Sequence, residues 1–238
     1  MKKTILTLLA TFLISNISYA EVDLAYLQNI DKLVAEKKYQ QALEAHQYFF
    51  EESKKSSGMG GVRVSFALSS WAQLGSVYPP ALIALSKIAS EHKALILSGK
   101  GSFYIFQEYH SINSYIGKNS ETLETFLTAD KKYPSQAKDY YLSVKELLIS
   151  EGKFDIIKKY ANDPVYEYES IRNERERALS QLRQKVAGNT IEAINSEFEV
   201  KVKGLIEVTQ KIGMQAEAEE IKRRSASYIN GNLLRKYY

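Results

Sequence analysis

The chain has 238 residues, no cysteine, and a formal net charge of +4 from 32 basic and 28 acidic residues. The lack of cysteine excludes disulfides and a lipid-attachment thiol, and the near balance of charge argues against a nucleic-acid-binding protein. Only four prolines and twelve glycines are present, with many strong helix formers, so we expect an all-α protein.

The first twenty residues have the pattern of a secretory signal peptide. Lys2 and Lys3 form a basic start, residues 5–14 form an apolar run, and Ser18-Tyr19-Ala20 offers small residues to a signal peptidase. The run is shorter than the ~20 residues that a membrane span needs. We expect cleavage after Ala20 and a periplasmic or secreted protein that does not span the membrane. The alternative is an apolar terminal helix.

The expected mature chain, residues 21–238, is long enough to bury one core but short for two. We therefore expect a single domain. Cleavage would remove two of the 32 basic residues and none of the 28 acidic ones, which leaves a formal net charge of +2. Such a surface has no general attraction for nucleic acid or an acidic membrane.

A short turn between two amphipathic runs recurs along the chain and predicts about five helical hairpins. In four copies the turn contains a glycine, which adopts a left-handed backbone without steric cost and so ends a helix. The spacing varies from 35 to 61 residues, and we attribute the surplus to a glycine loop at 58–61 and a charged helix at 166–186. The turns fall at Lys37, Gly75, Gly117, Gly152 and Gly213.

Packing between antiparallel helices explains the residue types that recur around these turns. Each hairpin buries only part of its apolar face, so neighbouring hairpins must stack to complete the core. Trp71 and the numerous tyrosines are expected to fill the space between hairpins. Small residues are expected where helices approach closely, at Ala42, Ala81, Ala129 and Ala218.

The segment Trp71-x-x-Leu74-Gly75-x-x-Tyr78-Pro79-Pro80-Ala81 resembles the signature of the tetratricopeptide repeat. Phe126, Ala129 and Tyr133 match the packing positions of that repeat's second helix. Over most of residues 25–229 the chain is similar to a group of exported bacterial tetratricopeptide-like proteins of unknown role. The resemblance implies an irregular α-solenoid that serves as a binding scaffold.

In tetratricopeptide repeats the first helix of each hairpin lines a concave groove, and the resemblance carries those positions onto this chain. Most of the residues are small, which suits close approach of a helix or extended peptide. The Lys and Asn pairs that clamp a C-terminal carboxylate in related repeats are absent. The positions are Ser69, Ala72, Ser76, Ser111, Ser114, Lys118, Glu146, Ile149 and Lys153.

Arg63 lies within an apolar run, residues 62–68, where a buried cation requires a partner. Two interpretations remain open for its guanidinium. One is a structural ion pair, and the other is a contact with a bound anionic ligand.

No pattern in the chain predicts a metal or cofactor site. His46, His92 and His110 lie far apart and match no zinc-binding spacing. Residues 98–102 resemble part of a phosphate-binding loop, but its leading glycine is missing and no strand pattern precedes it. We therefore expect no metal or cofactor, and a link between helices at 98–102.

The candidate catalytic motifs in the sequence are incomplete or are typical of solvent-exposed helix faces. Ser90-x-x-Lys93 and Ser150-x-x-Lys153 match the Ser-x-x-Lys of penicillin-interacting enzymes, but no Lys-Thr-Gly follows. The paired acids, such as Glu51-Glu52, lie beside Lys or Arg and are typical of solvated helix faces. We expect no enzymatic activity.

Three hypotheses for the function remain. The first is an exported noncatalytic scaffold or adaptor that holds a peptide or another protein of the cell envelope. The second is a periplasmic immunity or inhibitor protein that masks a toxin or enzyme. The third is a helical hydrolase.

Overall fold

The computed structural model describes residues 22–182 and 188–229, all of whose regular structure is α-helical. This confirms the all-α prediction. The expected signal peptide and Val186, the expected end of the charged helix, lie outside the described residues. The helices are α1 Leu24–Ala35, α2 Tyr39–Glu52, α3 Met59–Val64, α4 Phe66–Val77, α5 Pro80–Leu97, α6 Phe103–Tyr115, α7 Asn119–Lys132, α8 Pro134–Ser150, α9 Phe154–Tyr160, α10 Pro164–Leu182, α11 Gly188–Lys211 and α12 Gln215–Ile229.

The chain divides into two compact units, Met1–Leu85 and Ser86–Tyr238. The boundary falls within α5. A single domain for the mature chain stays a prediction, and the two units are described separately below.

In the first unit, α2 packs against α1 and α4, and the short α3 packs against α4. Asp23 begins α1 by accepting a hydrogen bond from the backbone N–H of Tyr26 at 2.9 Å. Trp71 is 1% exposed, so its predicted place in the core is confirmed. The other large side chains of this unit that are fully buried are Ile30, Phe49, Phe50, Leu68, Leu74 and Leu85.

In the second unit, α6 to α9 pack through aromatic rings. Phe106 of α6 stacks on Tyr140 of α8, with ring centroids 4.4 Å apart and an interplanar angle of 5°. Phe126 of α7 meets Phe106 at 6.1 Å and Tyr160 of α9 at 6.2 Å, both edge to face. These contacts place α6 against both α7 and α8, and α9 against α7; α9 also packs against α8.

The remaining helices of the second unit, α10, α11 and α12, pack against one another as a three-helix group. Half-buried side chains from α10, α11 and α12, including Ile171 and Tyr228, surround its core. The core consists of Tyr168, Phe198, Val202, Leu205 and Ile221.

Four of the five predicted turns are confirmed and share one geometry. Lys37, Gly117, Gly152 and Gly213 all have a left-handed backbone, with φ of 60°, 75°, 64° and 84°. In each, the N–H of the following residue bonds a carbonyl five residues earlier, as from Lys118 to Asn113 at 2.7 Å. This hydrogen bond closes the Schellman motif, which satisfies the last carbonyls of the helix.

The fifth predicted turn is also present, since α4 ends at Val77 and α5 begins at Pro80, but the prediction that Gly75 ends the helix is wrong. Gly75 lies inside α4, two residues before the helix ends at Val77, and its φ is not left-handed. A Cβ atom at this position would overlap the side chain of Leu82 on α5. Gly75 therefore permits close packing between α4 and α5 rather than ending a helix.

The predicted glycine loop is only partly correct. Gly58 has a left-handed φ of 78° and precedes α3, but Gly60 and Gly61 lie within that helix.

The predicted link at 98–102 joins α5 to α6, and Ser102 begins α6 by accepting a hydrogen bond from the N–H of Ile105 at 3.3 Å. The four alanines expected at close helix contacts, at positions 42, 81, 129 and 218, are all 0% exposed.

Candidate functional site

A groove of about 580 Å³ lies between α8, α10 and α11 of the second unit. Its walls combine apolar side chains with charged ones, and we call it the α8–α10–α11 groove. The residues that line it are Lys145, Glu146 and Ile149 of α8, Glu167, Ile171 and Glu174 of α10, and Val200, Lys201, Gly204, Leu205, Glu207, Val208 and Lys211 of α11.

Helical periodicity brings these side chains to one surface. On α10 the lining residues Glu167, Ile171 and Glu174 are spaced by four and then three positions, which places them on one face. On α11 the lining residues extend from Val200 to Lys211 with the same three-and-four spacing. Each helix thus presents a narrow stripe of mixed apolar and charged character to the groove.

The apolar part of the lining continues the core of the three-helix group. Leu205 is 7% exposed and belongs to that core, and half-buried Ile171 packs against it. Val200, in contrast, is 68% exposed. An apolar surface therefore extends from the core of this group to the solvent-exposed mouth of the groove.

Gly204 borders the groove in the interior of α11. No atom lies within 4 Å of the position that a Cβ would occupy, so packing in the described structure does not require glycine here. Glycine in a helix interior costs about 1 kcal/mol relative to alanine. At this position the missing side chain leaves the helix backbone accessible from the groove.

Three ion pairs also line the groove. Lys145 of α8 pairs with Glu167 of α10, and Lys201 of α11 pairs with Glu174 of α10 at 3.1 Å. Within α11, Lys211 pairs with Glu207 at 2.6 Å and holds the pKa of that carboxyl below its usual value.

Glu146 is the groove carboxylate without an ion pair to any residue in the described part of the chain, and it is exposed. Its charge acts on a neighbour in α8. Burial, together with the charges of Glu167 and Glu146, raises the pKa of Tyr141 to about 12. Glu167 therefore acts on Tyr141 even though it is paired with Lys145.

Two residues predicted for the binding surface line the groove, Glu146 and Ile149. The others lie elsewhere. In the second unit, Ser111 and Ser114 lie on α6, and Lys118 and Lys153 lie at hairpin turns; none of them lines the groove. In the first unit, α4 carries Ser69, Ala72 and Ser76, of which the first two are half-buried.

Arg63 is 3% exposed and lies in the core of the first unit. Its Nε donates a hydrogen bond of 2.6 Å to the carbonyl of Phe50, and its guanidinium lies 3.6 Å from the centre of the Phe50 ring. These contacts favour the structural interpretation of this cation over a ligand contact.

The α11 wall of the groove was not predicted from the sequence. Its signal was present, since Val200 and Gly204 interrupt a charged helix face with an apolar and a small residue four positions apart. Single apolar or small residues are common on exposed helix faces, so the sequence does not show that these two face other helices across a groove.

The histidines do not form a site. His46 lies in the core of the first unit, and His92 lies 2.8 Å from Glu108 through its Nε2. Burial lowers the pKa of His110. Among residues 22–182 and 188–229, no group of three or more His, Asp or Glu side chains is placed to hold a metal ion.

No protein-family model matches the chain, and no curated protein or solved structure is detectably similar to it. The resemblance to tetratricopeptide repeats therefore stays a prediction. Within the described ranges, none of the helices combines the length and apolar character that a membrane crossing requires.

Proposed function

We propose that this protein is an exported, noncatalytic scaffold that holds a segment of another protein in the α8–α10–α11 groove. The observation that carries the proposal is the groove itself, an open surface of mixed apolar and charged side chains that includes exposed Val200 and Gly204. Interfaces of this kind place apolar anchors at the centre and charges at the rim.

The chemistry of the groove favours binding over acid–base catalysis. A catalytic carboxyl usually has a raised pKa, because burial or a like charge stabilises its protonated form. Glu207 has a lowered pKa through its pairing with Lys211, and Glu174 is paired with Lys201. The ionised form of Glu207 is therefore favoured, and the paired carboxylates suit recognition of a charged partner.

The repeated turns support a scaffold built from helical hairpins. The geometry at Lys37 recurs at Gly117, Gly152 and Gly213. In the second unit α6 packs against both α7 and α8, so the first helices of two successive hairpins are neighbours. A tetratricopeptide-like solenoid has this kind of neighbour relation, and we include it in the proposal.

Affinity capture from cell-envelope extracts tests the proposal. The mature chain is compared with Gly204→Leu, which fills the groove, and with Lys203→Leu, an exposed neighbour on the same helix that does not line it. We expect Gly204→Leu to lose the captured protein and Lys203→Leu to retain it, with both variants folded. Equal capture by both variants would rule out the groove as the binding surface.

A second pair of substitutions tests the concave surface that the tetratricopeptide resemblance implies. Ser111→Arg combined with Ser114→Arg places two bulky cations on α6, away from the groove. If the groove is the binding surface, this double variant captures the partner as the unmodified chain does. Loss of capture with unchanged helicity and melting temperature would move the binding surface to α6.

A further inference from the structure

We infer that the segment bound by the α8–α10–α11 groove is a basic amphipathic helix. This inference rests on the proposed function and adds the chemical class of the partner. It follows from three properties of the groove: walls made of helices, apolar side chains contributed by all three of them, and carboxylates that are more exposed than the lysines with which they pair.

The walls favour a helix over an extended peptide. The described residues contain no strand, so the groove has no sheet edge to which a peptide strand could add. Its walls are helices whose stripes repeat every three or four residues, and such ridges accept the side chains of another helix. Gly204 removes a side chain from one wall, which allows a helix backbone to approach closely.

The apolar part of the lining calls for apolar anchors on the partner. Ile149, Ile171 and Val200 come from three different helices and all border the groove. Leu142, 69% exposed on α8, lies seven positions before Ile149 and therefore on the same helix face. A partner helix with aliphatic residues at positions i, i+3, i+4 and i+7 matches this surface.

The charged part of the lining has four carboxylates and three lysines, and the carboxylates are the more exposed members of their pairs. In the pair of Lys145 and Glu167, the lysine side chain is 16% exposed and the glutamate 40%. Lys201 and Glu174 are 39% and 58% exposed, and the same order holds for the third pair, Lys211 and Glu207. The carboxylates thus lie outermost.

Glu146 adds a carboxylate that no lysine of the described chain neutralises. A helix whose apolar face is flanked by Lys or Arg would place its cations against this and the other exposed carboxylates. Such complementarity raises the association rate and discriminates against acidic segments, while the apolar anchors supply most of the affinity. Binding should therefore weaken as salt screens these charges.

Two synthetic peptides test the inference directly. One is an amphipathic helix of leucine and lysine, and the other has glutamate at every lysine position; each carries a fluorophore for anisotropy titration. At low ionic strength we expect the lysine peptide to bind at least about tenfold more tightly than the glutamate peptide. Added salt should reduce this ratio.

Charge reversal in the groove gives the specific control. Glu146→Lys combined with Glu207→Lys should shift the preference toward the glutamate peptide. Glu91→Lys combined with Glu124→Lys makes the same change in net charge at exposed positions outside the groove, and it should leave the preference for lysine intact. An equal effect of both double variants would mean that net charge, and not the groove, selects the peptide.

The outcomes separate this inference from the proposed function. If both peptides bind alike and Gly204→Leu weakens both, the groove binds helices but the charge preference is wrong. If the lysine peptide binds but Gly204→Leu and Val200→Asp leave its affinity unchanged, the peptide binds elsewhere and the assignment of the groove as the binding surface is wrong. Binding of neither peptide overturns the inference, and the capture experiment then decides the proposed function alone.

Discussion

The imidazole of His46 stacks on the indole of Trp71, with ring centroids 5.7 Å apart and an interplanar angle of 11°. Phe50 meets the same indole edge to face at 5.9 Å. The stack joins α2 to α4 in the core of the first unit. Neither imidazole nitrogen has a hydrogen-bond partner among the described residues, and burial lowers the pKa of His46 to about 4.

This buried imidazole makes stability depend on pH. The unfolded chain takes up a proton at His46 near its ordinary pKa of about 6.5, whereas the folded protein takes it up only near pH 4. Protons therefore stabilise the unfolded state as the pH falls through that interval. His46 should lower the free energy of unfolding by about 2 kcal/mol between neutral pH and pH ~5.

Urea denaturation of His46→Phe at the two pH values measures this contribution. The variant keeps an aromatic ring against Trp71 but cannot take up a proton. Between neutral pH and pH ~5, the free energy of unfolding of the variant should therefore fall by about 2 kcal/mol less than that of the original protein. An identical pH dependence in both proteins would show that His46 is not the group responsible.

Trp71→Ala should lower the free energy of unfolding by ~3 to 5 kcal/mol, the usual cost of removing a large buried aromatic side chain. Phe66→Ala is the matched control, because Phe66 lies on the same helix and is 72% exposed. That change should stay within about 0.5 kcal/mol of the original protein. Chemical denaturation of the two variants checks the difference, and similar losses would contradict the burial of Trp71.

Lys37 occupies the left-handed position that glycine holds in the turns at Gly117, Gly152 and Gly213. This backbone conformation costs a residue with a Cβ about 1 to 2 kcal/mol. Glycine avoids that cost, but its larger conformational entropy in the unfolded state offsets part of the gain in stability. We therefore expect Lys37→Gly to raise the free energy of unfolding by about 0.5 to 1 kcal/mol.

Gly117→Ala is the reverse test, since open space surrounds Gly117 and only its φ of 75° opposes a side chain. It should destabilise the protein by about 1 kcal/mol. Thermal denaturation that ranks the two variants in the opposite order would contradict the shared geometry of the turns.

Gly204→Ala and Gly75→Ala should have opposite effects on stability. Open space at Gly204 allows alanine to stabilise α11 by up to about 1 kcal/mol. At Gly75 the added methyl overlaps Leu82, so we expect the protein to be destabilised. The same Gly204→Ala protein should capture its partner less well, because the methyl occupies the groove.

A double-mutant cycle separates the two causes at Gly75. In a Leu82→Ala background the overlap is absent, and Gly75→Ala should become neutral or stabilising. Calorimetric melting of the four proteins gives the coupling. Additive effects would show that Leu82 does not oppose the methyl group.

Export predicts a defined N-terminus. If signal peptidase cleaves after Ala20, the protein recovered from the periplasm or medium begins at Glu21. N-terminal sequencing or intact-mass measurement reads this directly. An exported protein that still carries residues 1–20 would contradict the signal-peptide prediction.

Local chemistry allowed much of the fold to be predicted. The turns at Gly117, Gly152 and Gly213 were predictable because a left-handed backbone is a preference of the glycine itself. Phe126 was predictable from its spacing, and its buried place between α6 and α9 agrees with that prediction. The same preference led to the wrong prediction that Gly75 ends a helix. Glycine is also used where two helices pack closely, and only the position of Leu82 shows that Gly75 has this second role.

The sequence by itself therefore determined that the protein is helical, where most hairpins turn, and which small residues are buried. Only the tertiary structure brought Ile149 of α8, Ile171 of α10 and Gly204 of α11 to one groove and left Glu146 without a described partner. Helix and turn preferences act over a few neighbouring residues and can be read along the chain. A cavity depends on how distant helices fill space, and on which side chains remain exposed after they pack.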